Sequence, residues 1–195
     1  MMWKNSVAGY GLVSKFLHWL MALLIVGLFA LGVYMTSLDY YDRWYEVAPN
    51  IHRSIGVLVA ILFLFRLFWR WINTRPQSFG TAWEKALSKL VHRLFYVLLF
   101  AIVISGYLIT TADGQPVFVF DWFQIPATLT LNRQEDVAGV VHQVVAYFTI
   151  FIVVIHMLAS LKHHFIDKDP TLLHMLITNN PGKELPINPQ KENHL

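Results

Sequence analysis

Residues 140–165 read VVHQVVAYFTIFIVVIHMLASLKHHF, an apolar run that carries two histidines, His142 and His156, inside it. Crossing the ~30 Å hydrocarbon core of a bilayer takes roughly 20 helical residues, and Val140–Leu161 is long enough. An imidazole at membrane depth is costly unless it is liganded, paired or part of a pathway, so two on one span call for one explanation. Fourteen residues separate them, about 21 Å along the axis at ~1.5 Å per residue, and fourteen steps of about 100° return nearly to the same face. One helix therefore presents an imidazole near each membrane surface, both turned to the same side.

Three further apolar stretches are long enough to span, at about Phe16–Met35, Ile51–Trp71 and Val91–Thr110. The first resembles a secretory signal in position, but it is long, holds His18 and lacks a small-residue cleavage pattern, so it reads as a retained helix. The sequence thus predicts an all-α integral membrane four-helix bundle over residues 1–175, followed by a polar tail over 176–195. Lys4, Lys15, Arg66, Arg70, Arg75, Lys85, Lys89, Arg93, Lys162, Lys168, Lys183 and Lys191 fall on one side of the spans, and only Arg43, Arg53 and Arg133 on the other. The excess of Lys and Arg on cytoplasmic loops then places both termini in the cytoplasm of a multi-pass membrane protein. Trp19, Trp44, Trp69, Trp71 and Trp122 lie near span ends, where indoles favour the headgroup layer. The long outer connection, with ADG at 112–114 and Pro116 and Pro126, reads as a turn-rich cover.

Composition points the same way: the chain is 56% hydrophobic and 14% charged, and its mean hydropathy is +0.48. The bilayer is its expected solvent. The net charge of +3 comes from residues at the ends of apolar runs, which points to membrane lipid as the partner and not to nucleic acid. With no cysteine, the chain cannot build a disulfide, an iron–sulfur cluster, a thiolate zinc site or a covalent c-type haem. Metal chemistry is left to His, Met, Tyr or carboxylate.

Each histidine of the last span needs a partner at its own depth. His52 opens the second span at the outer surface, level with His142, and His18 opens the first at the inner surface, level with His156. Two bis-histidine pairs result. Zinc would want three or four ligands around one point, whereas each pair suits a haem iron with two axial imidazoles, a saturated site made for electron transfer. The expected cofactors are two non-covalent b haems, held by His18 and His156 on the inner side and by His52 and His142 on the outer. His92, at the start of the third span, is the alternative partner of His156 or a haem contact, and Arg53 is a candidate for the outer haem propionates. His163 and His164 follow His156 by seven and eight residues and reach the inner surface, where a protonatable group suits a quinone that takes up protons with electrons. His174 and His194 fall in the stretch after Pro170 that reads as polar tail, and receive no role. The aromatic run Phe63, Phe65, Phe68 and Trp69 reads as lipid-facing or core packing.

The motifs LHWL at His18, IHRSIG at His52, VHRLFYVLLF at His92, the His142/His156 pair and KHHFIDKD from Lys162 resemble the bacterial cytochrome b561 family, over roughly residues 10–175. That family includes cytochrome b subunits of hydrogenases and related dehydrogenases. The resemblance implies a four-helix fold with cytoplasmic termini and two b haems, axial ligands at His18, His52, His142 and His156, and a quinone-side histidine at His163 or His164. One activity within the family is oxidation of superoxide at the outer face, with electrons passed to ubiquinone, in members that present a basic funnel. Here the outer loops depart from that pattern, with Asp39, Asp42, Glu46, Asp113, Asp121, Glu135 and Asp136 against Arg43, Arg53 and Arg133. A negative field slows the approach of an anion.

The resulting expectation is electron transfer between a periplasmic redox donor or acceptor, which a protein could serve as, and the quinone pool, in either direction. Quinone reduction would make the chain an oxidoreductase without a catalytic side chain at the metal centres. A haem-bearing anchor for a separate dehydrogenase is a second reading. A haem-free transporter using buried histidines as proton relays is a third, and it would be colourless.

Overall fold

The computed structural model describes residues 3–7 and 9–176. Four long helices carry the chain: α1 Leu12–Met35, α2 Val47–Ile72, α3 Ala82–Thr110 and α4 Gln134–Phe165. All four are long and apolar enough to cross a membrane, and each contains one of the spans expected from the sequence. Within each apolar window only 6–11% of the residues are buried in protein. Helices that exposed are untenable in water and ordinary in lipid, where an apolar side chain facing outward meets hydrocarbon.

The helices overrun the apolar spans, and the extra turns carry specific caps. Thr81 precedes α3, and Glu84 reaches back so that its Oε2 accepts from the Thr81 N–H at 2.8 Å and the Thr81 hydroxyl at 2.7 Å, a capping box. Pro49 sits in the first turn of α2, where a missing N–H costs nothing. At the start of α4, Gln134 accepts from Leu131 N–H at 2.8 Å and donates to the Leu108 carbonyl at 2.8 Å. Such polar turns lie beyond any hydropathy signal, which is why the sequence places each helix start four to nine residues late.

The described residues form two compact units, one drawn from residues 3–7, 9–19, 66–93 and 152–176, the other from Leu20–Phe65 and Leu94–Phe151. Every long helix contributes a piece to each unit. In the second unit Met21, Phe63 and Leu99 form a buried cluster, with Ile25, Leu62 and Tyr96 against it. Phe63 is thus core, whereas Phe65 and Phe68 are exposed.

One element goes beyond the all-helical expectation. The outer connection holds a small antiparallel hairpin, β1 Val117–Val119 with β2 Phe123–Ile125, turned at Phe120 and Asp121, both at positive φ. Val117 and Val119 are buried, and the Phe120 N–H donates to the fully buried Ser54 hydroxyl at 3.1 Å, which fastens the hairpin to α2. A short helix α5, Leu173–Leu176, follows Pro170. His174 is buried there, its ring edge-on to Phe79 at 5.1 Å between centroids, so the reading of His174 as a polar-tail residue is corrected. The chain from 177 on, with His194, lies outside the described residues.

Candidate functional site: two histidine pairs

In the Leu20–Phe65/Leu94–Phe151 unit, α2 brings His52 and α4 brings His142 to a ring-centroid separation of 6.2 Å, with the ring planes 68° apart. The His142 ring is held by α3. Ser105 gives its hydroxyl proton to the Ala101 carbonyl at 2.7 Å, so its oxygen accepts from His142 Nδ1 at 3.1 Å, alongside the Ile102 carbonyl at 3.1 Å. Both partners demand a proton on Nδ1, which leaves the Nε2 lone pair for a metal. His52 Nδ1 is buried and has no hydrogen-bond partner among the described residues. Glycines back both rings: a Cβ on Gly32 of α1 would lie 3.3 Å from His52 Cε1, and one on Gly106 of α3 would lie 3.2 Å from His142 Cε1. The absent side chains leave the space that the imidazoles occupy.

In the other unit, His18 of α1 and His156 of α4 stand 6.4 Å apart, with planes at 66°. His92 of α3 lies 5.5 Å from His156, planes at 82°, and gives its Nδ1 proton to the Ser88 carbonyl at 2.6 Å. Arg66 of α2 places Nη2 3.2 Å from His18 Nδ1.

These separations test whether the residues fit a haem. An iron held at ~2 Å by each imidazole nitrogen, with each nitrogen ~1.1 Å from its ring centre, sets the two centroids ~6.2 Å apart. His52/His142 and His18/His156 meet that requirement, at 6.2 and 6.4 Å. The 5.5 Å of His92/His156 is shorter than a shared iron demands. Among the described residues neither pair belongs to a group of three metal-ligating side chains whose ligand atoms converge on one point, as zinc requires.

A family model for prokaryotic cytochrome b561 matches residues 9–177. The chain belongs to the prokaryotic cytochrome b561 family. It is 45% identical to cytochrome b561 homolog 2 of Escherichia coli (strain K12), over 90% of this chain and 95% of the relative. It is 24% identical to cytochrome b561 homolog 1 of the same organism, over 83% and 93%, and 25% identical to the probable superoxide oxidase CybB of Yersinia pestis, over 86% and 95%. The protein is therefore a multi-pass bacterial membrane cytochrome, a class in which haem b and electron transport are expected.

The remaining candidates fall at two places. Arg53 is exposed and, with Tyr45, Glu46, Asn50 and Asp121, lines an open recess of about 430 Å³ beneath the hairpin. His163 is drawn into an ionic cluster with Lys162, Asp167 and Asp169, while His164 packs its ring edge-on to Phe165 at 4.8 Å. Sequence reading missed Arg66, Gly32, Gly106 and Ser105. The first is hidden among basic residues that look like topology signals, and the others are small residues whose meaning appears only once the facing histidine is known.

Proposed function

We propose that this cytochrome b561 family member carries two b haems, with His52 and His142 as axial ligands of one and His18 and His156 of the other, and passes electrons across the inner membrane between a periplasmic donor and quinone. The observation that carries the reading is the pair of centroid separations, 6.2 and 6.4 Å, each matching a shared iron. Haem at each pair would supply a reversible one-electron couple in a saturated site. The chain's own residues set its surroundings. Ile102 and Ser105 fix the tautomer of His142 and raise the basicity of Nε2. At the other pair, Arg66 Nη2 lies 3.2 Å from His18 Nδ1, which sets a guanidinium beside the proposed ligand ring, where an anionic group such as a propionate would meet it. Arg53 and its recess stand at the donor's end, and His163 at the quinone's. Both termini lie in the cytoplasm on this reading, in accord with the Lys and Arg distribution.

A second donor is favoured by the relative named a probable superoxide oxidase. On that reading Arg53, in a recess that also holds Glu46 and Asp121, supplies the local attraction for the anion.

The test is a reduced-minus-oxidised spectrum with pyridine haemochrome quantitation on the purified protein. Two b haems per chain are expected, falling to one in His52→Ala and in His142→Ala. A colourless wild type, or variants that keep both haems, would overturn the assignment.

A further inference from the structure

The connection from α1 to α2 contains the stretch DYYDRWYE, Asp39–Glu46, and every residue in it is exposed. Its backbone is nonetheless tied down. Asp42 N–H donates to the Asp39 carbonyl at 3.0 Å and Tyr45 N–H to the Asp42 carbonyl at 3.0 Å. Asp39 Oδ1 accepts from Tyr41 N–H at 2.9 Å, and Asp42 Oδ2 from Asp39 N–H at 2.9 Å. On this frame the rings of Tyr41, Tyr40 and Tyr45 follow one another edge to face, each centroid 5.7 Å from the next. Arg43 lies over the Trp44 ring at 5.9 Å. Tyr41 is 93% exposed and Tyr40 75%. The row ends at the open recess, which Tyr45 and Glu46 line with Arg53, and to which the hairpin brings Phe118 and Asp121. Arg53 directly follows His52, so the row of rings leads from solvent to the neighbour of a proposed haem ligand.

The charge on this surface is one-sided. Asp39, Asp42 and Glu46 stand in the stretch against Arg43, and Asp121 joins them at the recess against Arg53. Three kinds of occupant could cover exposed rings of this sort. The headgroup layer of the membrane takes tyrosine and tryptophan, but carboxylates interleaved with the rings are repelled by an anionic lipid surface. A small ligand needs an enclosure, and Tyr40 and Tyr41 do not line the recess. A protein surface accounts for both features. Pre-ordered Tyr, Trp and Arg side chains are the anchors of interfaces, and carboxylates set among them select and steer a basic partner. Redox encounters lie at the small end of interface size, below ~1,200 Å² in total, which suits a platform made of one loop and one hairpin turn.

We propose that Asp39–Glu46 and the hairpin turn at Asp121 form the docking platform for a water-soluble redox protein that carries a basic ring around its exposed cofactor edge. The proposal rests on the cytochrome reading above and deepens it by naming the class of the donor. One electron leaves the reduced partner in each encounter and is taken up at the His52/His142 pair. No proton moves with it, and no bond forms or breaks. The carboxylates bring the partner in and set its register, and Tyr41 and Tyr40 supply the contact that holds it.

The test uses the holoprotein in nanodiscs of phosphatidylcholine, with a basic soluble cytochrome c as the probe. Binding is read by biolayer interferometry, and electron transfer by stopped-flow oxidation of the chemically reduced holoprotein by the ferric probe, which meets the same surface. The Kd should weaken roughly tenfold between about 20 and about 200 mM salt. Glu46→Gln should weaken binding roughly threefold at low salt, and adding Asp42→Asn and Asp121→Asn should flatten the salt dependence. Asparagine suits the φ of +60° at 121. Tyr41→Ala should weaken binding roughly fivefold with the salt dependence kept. Asp113→Asn, which removes a charge from an exposed position outside the platform, should cost less than Glu46→Gln. Transfer rates at low probe concentration should fall in the same order, with both haems kept. Wild-type binding by the triple variant or by Tyr41→Ala would overturn the platform, and an Asp113→Asn loss equal to that of Glu46→Gln would reduce it to a general field. A spin label on Tyr41→Cys that meets oxygen but not a water-soluble nickel chelate would put the rings in lipid and sink the proposal. The two readings fail differently: missing haem shows in the wild-type spectrum, whereas a failed platform shows in binding with both haems in place.

Discussion

The two glycines behind the His52/His142 pair show how little of a site a single residue type can announce. Gly32 and Gly106 sit in apolar helix interiors, where glycine costs up to ~1 kcal/mol relative to alanine. Their positions are explained by the 3.2–3.3 Å that a Cβ would leave to each imidazole. Alanine at either position would displace the ring by a few tenths of an ångström. Valine adds two methyl groups to that gap and has one strongly preferred rotamer in a helix. Gly106→Val, and separately Gly32→Val, should therefore each lose one b haem of two in the haemochrome assay while the protein still enters the membrane. A valine variant with both haems at wild-type stoichiometry would show that the space behind the rings does not position them.

At the scale of the element, α4 was legible because its two histidines lie fourteen residues apart inside an apolar run, so period and hydropathy agree. The partners proposed on α1 and α2 came from depth alone, and their rings stand 6.4 and 6.2 Å from those of His156 and His142. His18 and His92, which open different spans at one surface, could not be ranked by depth, and only the centroid distances divide them. Short elements escaped. The three-residue strands of the hairpin are too brief for an alternation signal, and α5 spans one turn. His174 in α5 makes the second prediction. Burial, with Lys15 nearby, lowers its pKa below the ordinary 6.5, although Asp169 opposes the shift. A group whose folded pKa is depressed stabilises the fold above its unfolded value and withdraws that support as the pH falls through the folded value. The docking of α5 should thus weaken on the acid side of 6.5, and the depressed Asp169 carboxyl extends the loss to lower pH. Amide exchange across Thr171–Leu176 should quicken there relative to the helix interiors, after correction for intrinsic rates. His174→Phe, which fills the position without a charge, should flatten the pH dependence; equal acceleration in that variant would remove His174 as the cause.

Across the whole molecule, composition and span lengths carried the reading of a four-helix membrane protein, because a chain this apolar has few other solutions once its helices bury so little of themselves in protein. Which end meets the periplasm rests on the Lys and Arg asymmetry, and that asymmetry decides whether the donor meets the Arg53 recess or the His163 cluster. The chain contains no cysteine, so a single introduced thiol reports its side of the membrane without background. Asp113 and Ser78 are exposed residues in connections that the asymmetry assigns to opposite sides. In spheroplasts, a membrane-impermeant maleimide should label Asp113→Cys and spare Ser78→Cys until the membrane is opened. Each variant should keep both haems, which separates a topology result from misfolding. The reverse pattern would place His163 and its carboxylates in the periplasm. Proton exchange with quinone would then occur on that side, and the donor would be a cytoplasmic one.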